Sequence, residues 1–358
     1  MIYLDYAAST PVDPAVIEAM SVAMAAPGNY ANPSSTHSEG RHSNELIAEA
    51  AGKLAGLLNT SPDCLVWTSG ATESDNLAIF GAASYRADRG RHLVSMRTEH
   101  KAVTDPFAVL EKRGFEVTWV DPEPDGRLDL GTLESALRDD TQLVSVMHVN
   151  NETGIVQDIA GIGALCRERG ILYHVDAAQS CGKLPIDLET LPVDLMSMTA
   201  HKCYGPKGIG ALYIADRKGV HVEPQLFGGG QQRRLRPGTL PTQQIVGFGA
   251  TAAIAAGRMD RDLEHLRALR DRFWGGIRDL PGLVVNGSLE HVFPGILNVS
   301  AAGVEGESLL LALEPLCVAT GSACNSKSQE PSYVLRALGR SDELAQAAIR
   351  FSFGRPTS

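Results

Sequence analysis

The sequence predicts an α/β protein with a largely parallel sheet, followed by a smaller α+β unit. Three observations carry this prediction. From about Cys64 onward, short apolar runs alternate with amphipathic stretches, the order of βαβ units. Several of those runs are apolar on successive residues, as in strands covered on both faces. After about Thr242 the pattern changes to one long helical stretch, then short strands and helices.

Taken in order, residues 14–24 and 39–58 read as early helices. Strands are predicted over 65–68, 92–95, 116–120, 142–147, 171–175, 194–198 and 211–214. Helices are predicted between them over 74–89, 101–113, 130–138 and 159–169. Residues 243–280 read as one or two long helices, stopped by Pro281-Gly282. Beyond them come strands at 283–285 and 296–299, helices near 307–314 and 333–338, and a last strand near 349–353. The given sequence stops at Ser358, directly after that strand and with no closing helix.

Composition narrows the function. With 44% hydrophobic and 21% charged residues, the 358-residue chain can bury a core, which excludes a disordered protein. A net charge of −10 argues against a broad nucleic-acid or anionic-membrane surface. No apolar run reaches the ~20 residues of a membrane span, and the first residues do not read as a signal peptide. The six cysteines form no C-x-x-C pair, so zinc-ribbon and thioredoxin readings fall away and a reduced, cytoplasmic protein is expected.

Several residues could carry chemistry. Lys202 follows an apolar run in Thr199-Ala200-His201-Lys202, just before Tyr204-Gly205-Pro206. Such a lysine is more often a solvated loop residue, but at a strand end it also suits a Schiff base. Asp176 ends an apolar strand, where open α/β sheets bind ligands. A structural N-cap is the plain alternative, and a His174–Asp176 metal pair lacks a third ligand. Ser69-Gly70-Ala71-Thr72-Glu73-Ser74 joins a strand to a helix, as an anion site or as an ordinary capping box. Cys324 lies in the small, polar stretch Gly321-Ser322-Ala323-Cys324-Asn325, beside Lys327. That context fits either a reactive thiol or an incidental one. The other five cysteines read as structural. His100 and Asn151 each follow a strand and would serve equally as cap or turn residues.

Together these motifs are specific. The Lys202 motif, the Gly321–Cys324 stretch, Tyr3-Leu4-Asp5-Tyr6-Ala7-Ala8 and segments 68–76, 98–103, 146–154, 174–186, 238–241, 330–339 and 349–355 resemble one family over nearly the whole chain. The chain is similar to cysteine desulfurases of the IscS/NifS type, among the class V aminotransferase-like pyridoxal 5′-phosphate (PLP) enzymes.

The resemblance implies the PLP-dependent transferase fold type I, with a mainly parallel seven-stranded sheet. It implies a large domain over 14–258 and a small one from 1–13 and 259–358, which carries the Cys324 loop. Lys202 would hold PLP and move the Cα proton of L-cysteine. Asp176 would pair with the ring nitrogen, Gln179 would bond the ring hydroxyl, and His100 would stack on the ring and act as acid and base. Ala71, Thr72, Thr199 and His201 would hold the phosphate, and Thr239 would reach the phosphate of a neighbouring subunit in a homodimer. Asn151 and Arg350 would bind the substrate carboxylate, with Asn32 nearby. Cys324 would take the sulfur as a persulfide and pass it to an acceptor protein for iron–sulfur clusters or for tRNA and cofactor thiolation.

Some positions depart from the family pattern. Thr199-Ala200 stands for Ser-Gly, Gln231-Gln232 for His-Glu, Pro237 for Ser and Asn325 for Thr; Lys327 and Gln329 differ too. The helical tail that docks the cluster scaffold in housekeeping members is not in the sequence given. Selenocysteine lyase, a class V aminotransferase and a weakly catalytic PLP-binding scaffold fit the same frame. No metal, membrane or nucleic acid is expected.

Overall fold

The computed structural model describes residues 1–25, 29–320 and 330–358. The chain opens with β1 (Ile2–Tyr3), α1 (Pro14–Ala25) and α2 (Ser38–Leu58). The alternating region follows as β2 (Leu65–Thr68), α3 (Ala71–Tyr85), β3 (His92–Met96), α4 (Lys101–Lys112), β4 (Glu116–Val120), α5 (Leu130–Ala136), β5 (Thr141–Ser145), α6 (Ile159–Glu168), β6 (Leu172–Asp176), β7 (Leu195–Thr199) and β8 (Gly210–Ile214). Helix α7 (Thr242–Ile277) leads to β9 (Leu283–Val285), β10 (Ile296–Ala301), α8 (Gly306–Ala312), β11 (Leu316–Cys317) and β12 (Ala319–Thr320). The chain then forms α9 (Tyr333–Ala337), α10 (Asp342–Gln346) and β13 (Ala348–Ser352).

Side chains that compete with the backbone start these helices. Asp129 accepts from Thr132 N–H at 2.7 Å ahead of α5, Asp158 from Gly161 N–H at 2.9 Å ahead of α6, and Ser332 from Leu335 N–H at 3.2 Å ahead of α9. Helix α3 begins three residues before its predicted start. The Glu73 carboxylate accepts from Ser69 N–H at 2.7 Å, which closes a first turn that the Gly-Ala-Thr run does not advertise. Helix α7 is single and continuous, and it runs through residue 258. Its glycines do not break it. A Cβ at Gly249 would sit 2.6 Å from Ala50 Cα, so the residue permits close packing of α7 on α2.

The seven-stranded sheet has the order β2-β8-β7-β6-β5-β3-β4. Strand β8 is antiparallel to both neighbours and the remaining pairs are parallel. One face buries Val144, Tyr173, Val175, Met196 and Met198 against α2, α6 and α7. The other buries Leu93, Leu143, Leu172, Leu195 and Leu212 against Leu77 and Ile79 of α3 and Phe107 of α4. Covering both faces is what puts apolar residues on both sides of these strands. A second sheet, β12-β13-β10-β9, is antiparallel and packs on the C-terminal half of α7 through Leu266, Phe273 and Phe351.

On the α3 side, three adjacent strands grade along their length. Leu143 is followed two residues later by Ser145, Leu172 by His174 and then Asp176, and Leu195 by Ser197 and then Thr199. Successive same-face positions thus pass from apolar to polar toward the carboxyl ends. The ladder sets Ser145 beside His174, and Asp176 beside Ser197.

Candidate active site

The carboxyl ends of β2, β3, β5, β6 and β7 surround one cavity of about 320 Å³. Five separate segments supply its chemistry, which is the ligand position expected of an open α/β sheet. After β2 come Ala71 and Thr72 at the first turn of α3; after β3, His100; after β5, Asn151; after β6, Asp176 and Gln179; after β7, Thr199, His201 and Lys202. Nine residues predicted from sequence, Lys202 among them, are therefore brought together.

Each is held by its local structure. Asp176 is the last residue of β6; its Oδ1 accepts from Ala178 N–H at 2.8 Å. His100 caps α4: its Nδ1 accepts from Ala102 N–H at 3.1 Å, which leaves the neutral ring's proton on Nε2. Burial holds His100 below the usual histidine range, with Asp176 pulling the other way and Lys202 reinforcing the fall. The turn that bears Lys202 is fastened to the N-terminal segment. Thr10 N–H donates to His201 O at 2.9 Å, Tyr204 N–H to Thr10 Oγ1 at 2.7 Å, and Asp13 N–H to Tyr204 O at 3.0 Å. Gln179 is fully committed on its Oε1, which accepts from Lys183 Nζ at 3.0 Å, while Nε2 donates to Ala7 O at 2.8 Å.

One end of the cavity is electropositive. Burial first, then the ammonium groups of Lys202, Lys207 and Lys183, lowers His201 to about 4. The first turn of α3, a helix of 15 residues, opens at the same place with no side-chain cap from Gly70. Glu73 ties this turn to Arg236 through bonds of 2.7 and 3.2 Å. Burial raises that carboxyl, but Arg236 and Ser69 outweigh it and hold Glu73 below its usual range.

Beneath the cavity lies the polar layer of the sheet. His174 is fully buried, with Nδ1 2.8 Å from Ser145 Oγ and Nε2 2.9 Å from Ser197 Oγ. Both nitrogens being occupied by serines, His174 takes no part with Asp176 in a metal pair. Asp75 of α3 lies 3.5 Å from His174 Nε2 and also lines the cavity. Burial, then the Asp176 charge, raises its carboxyl well above the usual range. Among the described residues, no group of three His, Cys, Asp or Glu side chains could hold a metal ion.

Two predicted residues lie elsewhere. Asn32 and the exposed Thr239 share a second cavity of about 420 Å³ and do not line the first one. Arg350 sits on β13 at 5% exposure; its Nη1 donates to Asn151 O at 2.6 Å and its Nη2 to Asp5 Oδ1 at 2.8 Å. It thus adjoins Asn151 through the backbone, with Nε unpartnered. Cys324 lies outside the described residues. Sequence reasoning missed Glu73, Arg236, Asp75, Lys183 and Lys207. Glu73 had a signal, the Ser69-to-Glu73 spacing; Asp75 and Arg236 depend on contacts between segments far apart in the chain, while Lys183 and Lys207 lie close in sequence to Gln179 and His201 without a motif that marks them.

The residues present fit PLP. The cavity holds an amine, a carboxylate and an anion-binding helix end, matching the aldehyde, pyridine nitrogen and phosphate. The buried, unpartnered Asn151 Oδ1 shows polar capacity that the protein itself leaves unused.

Comparison with known proteins agrees. The aminotransferase class-V family model matches residues 2–358. The chain is 55% identical over 358 residues to "Cysteine desulfurase IscS" of Enterobacter sp. (strain 638), covering 100% of this chain and 89% of that protein. It superposes on a solved "NifS-like protein" with a TM-score of 0.92 at 35% identity, covering 100% and 94% of the two chains. A structure titled "SspA in complex with cysteine" gives 0.88 at 36% identity, covering 99% of each. The chain belongs to the aminotransferase class-V family and, within it, to the PLP-dependent cysteine desulfurases of the IscS/NifS type.

Proposed function

We propose that this enzyme binds L-cysteine over Asp176, releases L-alanine, and passes the sulfur through Cys324 to an acceptor protein. The convergence of Lys202, Asp176 and His100 on one cavity carries this reading. PLP, when bound, supplies an electron sink for the pair released at the substrate Cα.

The chain's own residues do the rest. Lys202 Nζ would hold the cofactor aldehyde, and its amine would move the Cα proton of the substrate. The Asp176 carboxylate would keep a proton on the ring nitrogen. The first turn of α3 with Thr199 and His201 would anchor the phosphate, and His100 would serve as acid and base beside the ring. Asn151 and Arg350 orient the substrate carboxylate. The Cys324 thiolate attacks the substrate sulfur, the Cβ–Sγ bond breaks with its electron pair left on carbon, and carbon takes a proton. Cys324 is left as a persulfide.

The exposed position of Thr239, away from its own chain's cavity, supports a homodimer in which it completes the neighbour's phosphate site. We read the large domain as 14–258 and the small one as 1–13 with 259–358. No helix among the described residues is long and apolar enough to cross a membrane; we place the enzyme in the cytoplasm, serving iron–sulfur assembly or thiolation.

The test is to incubate the holoenzyme with L-cysteine and measure alanine and protein-bound sulfur. One alanine per sulfur, lost in Cys324→Ser, is expected. Turnover that needs a keto acid and survives Cys324→Ser would mark an aminotransferase instead. A faster reaction with selenocysteine would mark a selenocysteine lyase.

A further inference from the structure

Lys183 follows Gln179 by one turn, in Gln179-Ser180-Cys181-Gly182-Lys183, yet it points away from the main cavity. Its ammonium lies 5.5 Å from the centroid of the Phe293 ring and 3.0 Å from Gln179 Oε1. Burial lowers the amine to about 7, so this is a costly place for a lysine without a specific partner.

The partner's chemistry explains it. A side-chain amide can sit in two orientations, with its oxygen and nitrogen exchanged. At Gln179 both neighbours choose the same one. Lysine donates, so it needs the amide oxygen; the Ala7 carbonyl accepts at 2.8 Å, so it needs the amide nitrogen. The reverse orientation would set Nε2 against Nζ and Oε1 against a carbonyl oxygen, two repulsive contacts at the cavity wall. An NH₂ group carries two hydrogens and Ala7 takes one.

We propose that Lys183 is a positioning residue that locks the Gln179 amide, so that the second Nε2 hydrogen is always available to the ring oxygen of PLP. This rests on the reading above that Gln179 meets that oxygen. Without Lys183 only the Ala7 carbonyl selects the orientation, and the flipped amide, which offers oxygen to oxygen, gains population.

The experiment compares wild type, Lys183→Met, Lys183→Arg, Gln179→Leu and the double variant Gln179→Leu/Lys183→Met. For each full chain, the readouts are the dissociation constant of PLP added to the apoenzyme and the absorption maximum of bound PLP. Lys183→Met is expected to weaken PLP about tenfold and shift the band, Lys183→Arg to restore both within about threefold, and the double variant to match Gln179→Leu alone. If Gln179→Leu changes neither readout, the Gln179 reading itself fails. If Gln179→Leu changes them and Lys183→Met does not, Lys183 has no positioning role. An equal effect of Lys183→Met in both backgrounds also overturns the proposal, because the residue would then act by packing alone. If Lys183→Met does not fold, Lys183→Gln in the same two backgrounds gives the same comparison.

Discussion

Arg350 and Asp5 are separated by 345 positions in sequence, and Arg350 Nη2 donates to Asp5 Oδ1 at 2.8 Å. The pair is largely buried, with the side chains 6% and 23% exposed. It joins the N-terminal segment to β13, and the second guanidinium arm reaches the backbone of Asn151 at the cavity. Asp5 thus aims a residue expected to bind the substrate carboxylate. Asp5→Ala should raise KM for L-cysteine roughly tenfold with little change in kcat, the order of one charge-assisted hydrogen bond. Arg350→Lys should raise it further, because an ammonium cannot form the fork. Steady-state kinetics at saturating PLP check both; a loss confined to kcat would contradict the assignment.

The Glu73–Arg236 pair secures the first turn of α3, with Glu73 lining the cavity and Arg236 behind it. At about one-fifth exposure on each side, it should contribute on the order of 1 kcal/mol. Arg236→Ala should therefore weaken PLP binding to the apoenzyme about fivefold, and added salt should narrow the difference. Titration followed by cofactor absorbance at two ionic strengths reads this directly.

Gly205 closes the turn that bears Lys202. A Cβ there would lie 2.7 Å from both Ala200 Cβ and Thr251 Oγ1, and 2.9 Å from Ala200 O. Ala200 cannot yield without moving the segment to Lys202. Gly205→Ala should cost roughly 1–3 kcal/mol of stability. It should also lower the fraction of chain that borohydride fixes to PLP at Lys202. Peptide mass mapping measures that fraction; full labelling would sink the prediction.

His174 gives a pH signature. Burial lowers its pKa to about 3, from 6.5 in the unfolded chain. Between those values the unfolded state holds the extra proton, so stability falls as pH drops. This contribution is fully present above pH 6.5 and lost progressively toward pH 3, at about 1.4 kcal/mol per unit. His174→Asn should remove one proton from the acid limb of the unfolding curve. Denaturant unfolding at pH 7, 6 and 5 checks this, and an unchanged slope in the variant would refute it.

Much of the fold was legible. Both-face burial gives β5, β6 and β7 apolar residues on both sides, so their existence shows in local composition. Strands β6 and β7 run one residue beyond expectation, to Asp176 and Thr199, which are polar and belong to the site as well as to the strand, whereas β5 stops two residues short, at Ser145. Helix α7 was less clear, since residues 243–280 read equally as one helix or two until the close packing of Gly249 on α2 is seen.

The candidate site divides in the same way. Asp176, His100, Asn151 and Lys202 each announce themselves as polar residues directly after an apolar strand, a signal carried within a few positions. Strand order in space brings those loops to one cavity. Asp5 beside Arg350, Glu73 beside Arg236 and Lys183 behind Gln179 have no such local mark. The first two pair segments far apart in the chain; the third pairs neighbours four positions apart, and its meaning depends on the distant Ala7 carbonyl that fixes the other end of the amide. Periodicity and side-chain chemistry are properties of neighbours along the chain, whereas the aim of a guanidinium or an amide is set by neighbours in space.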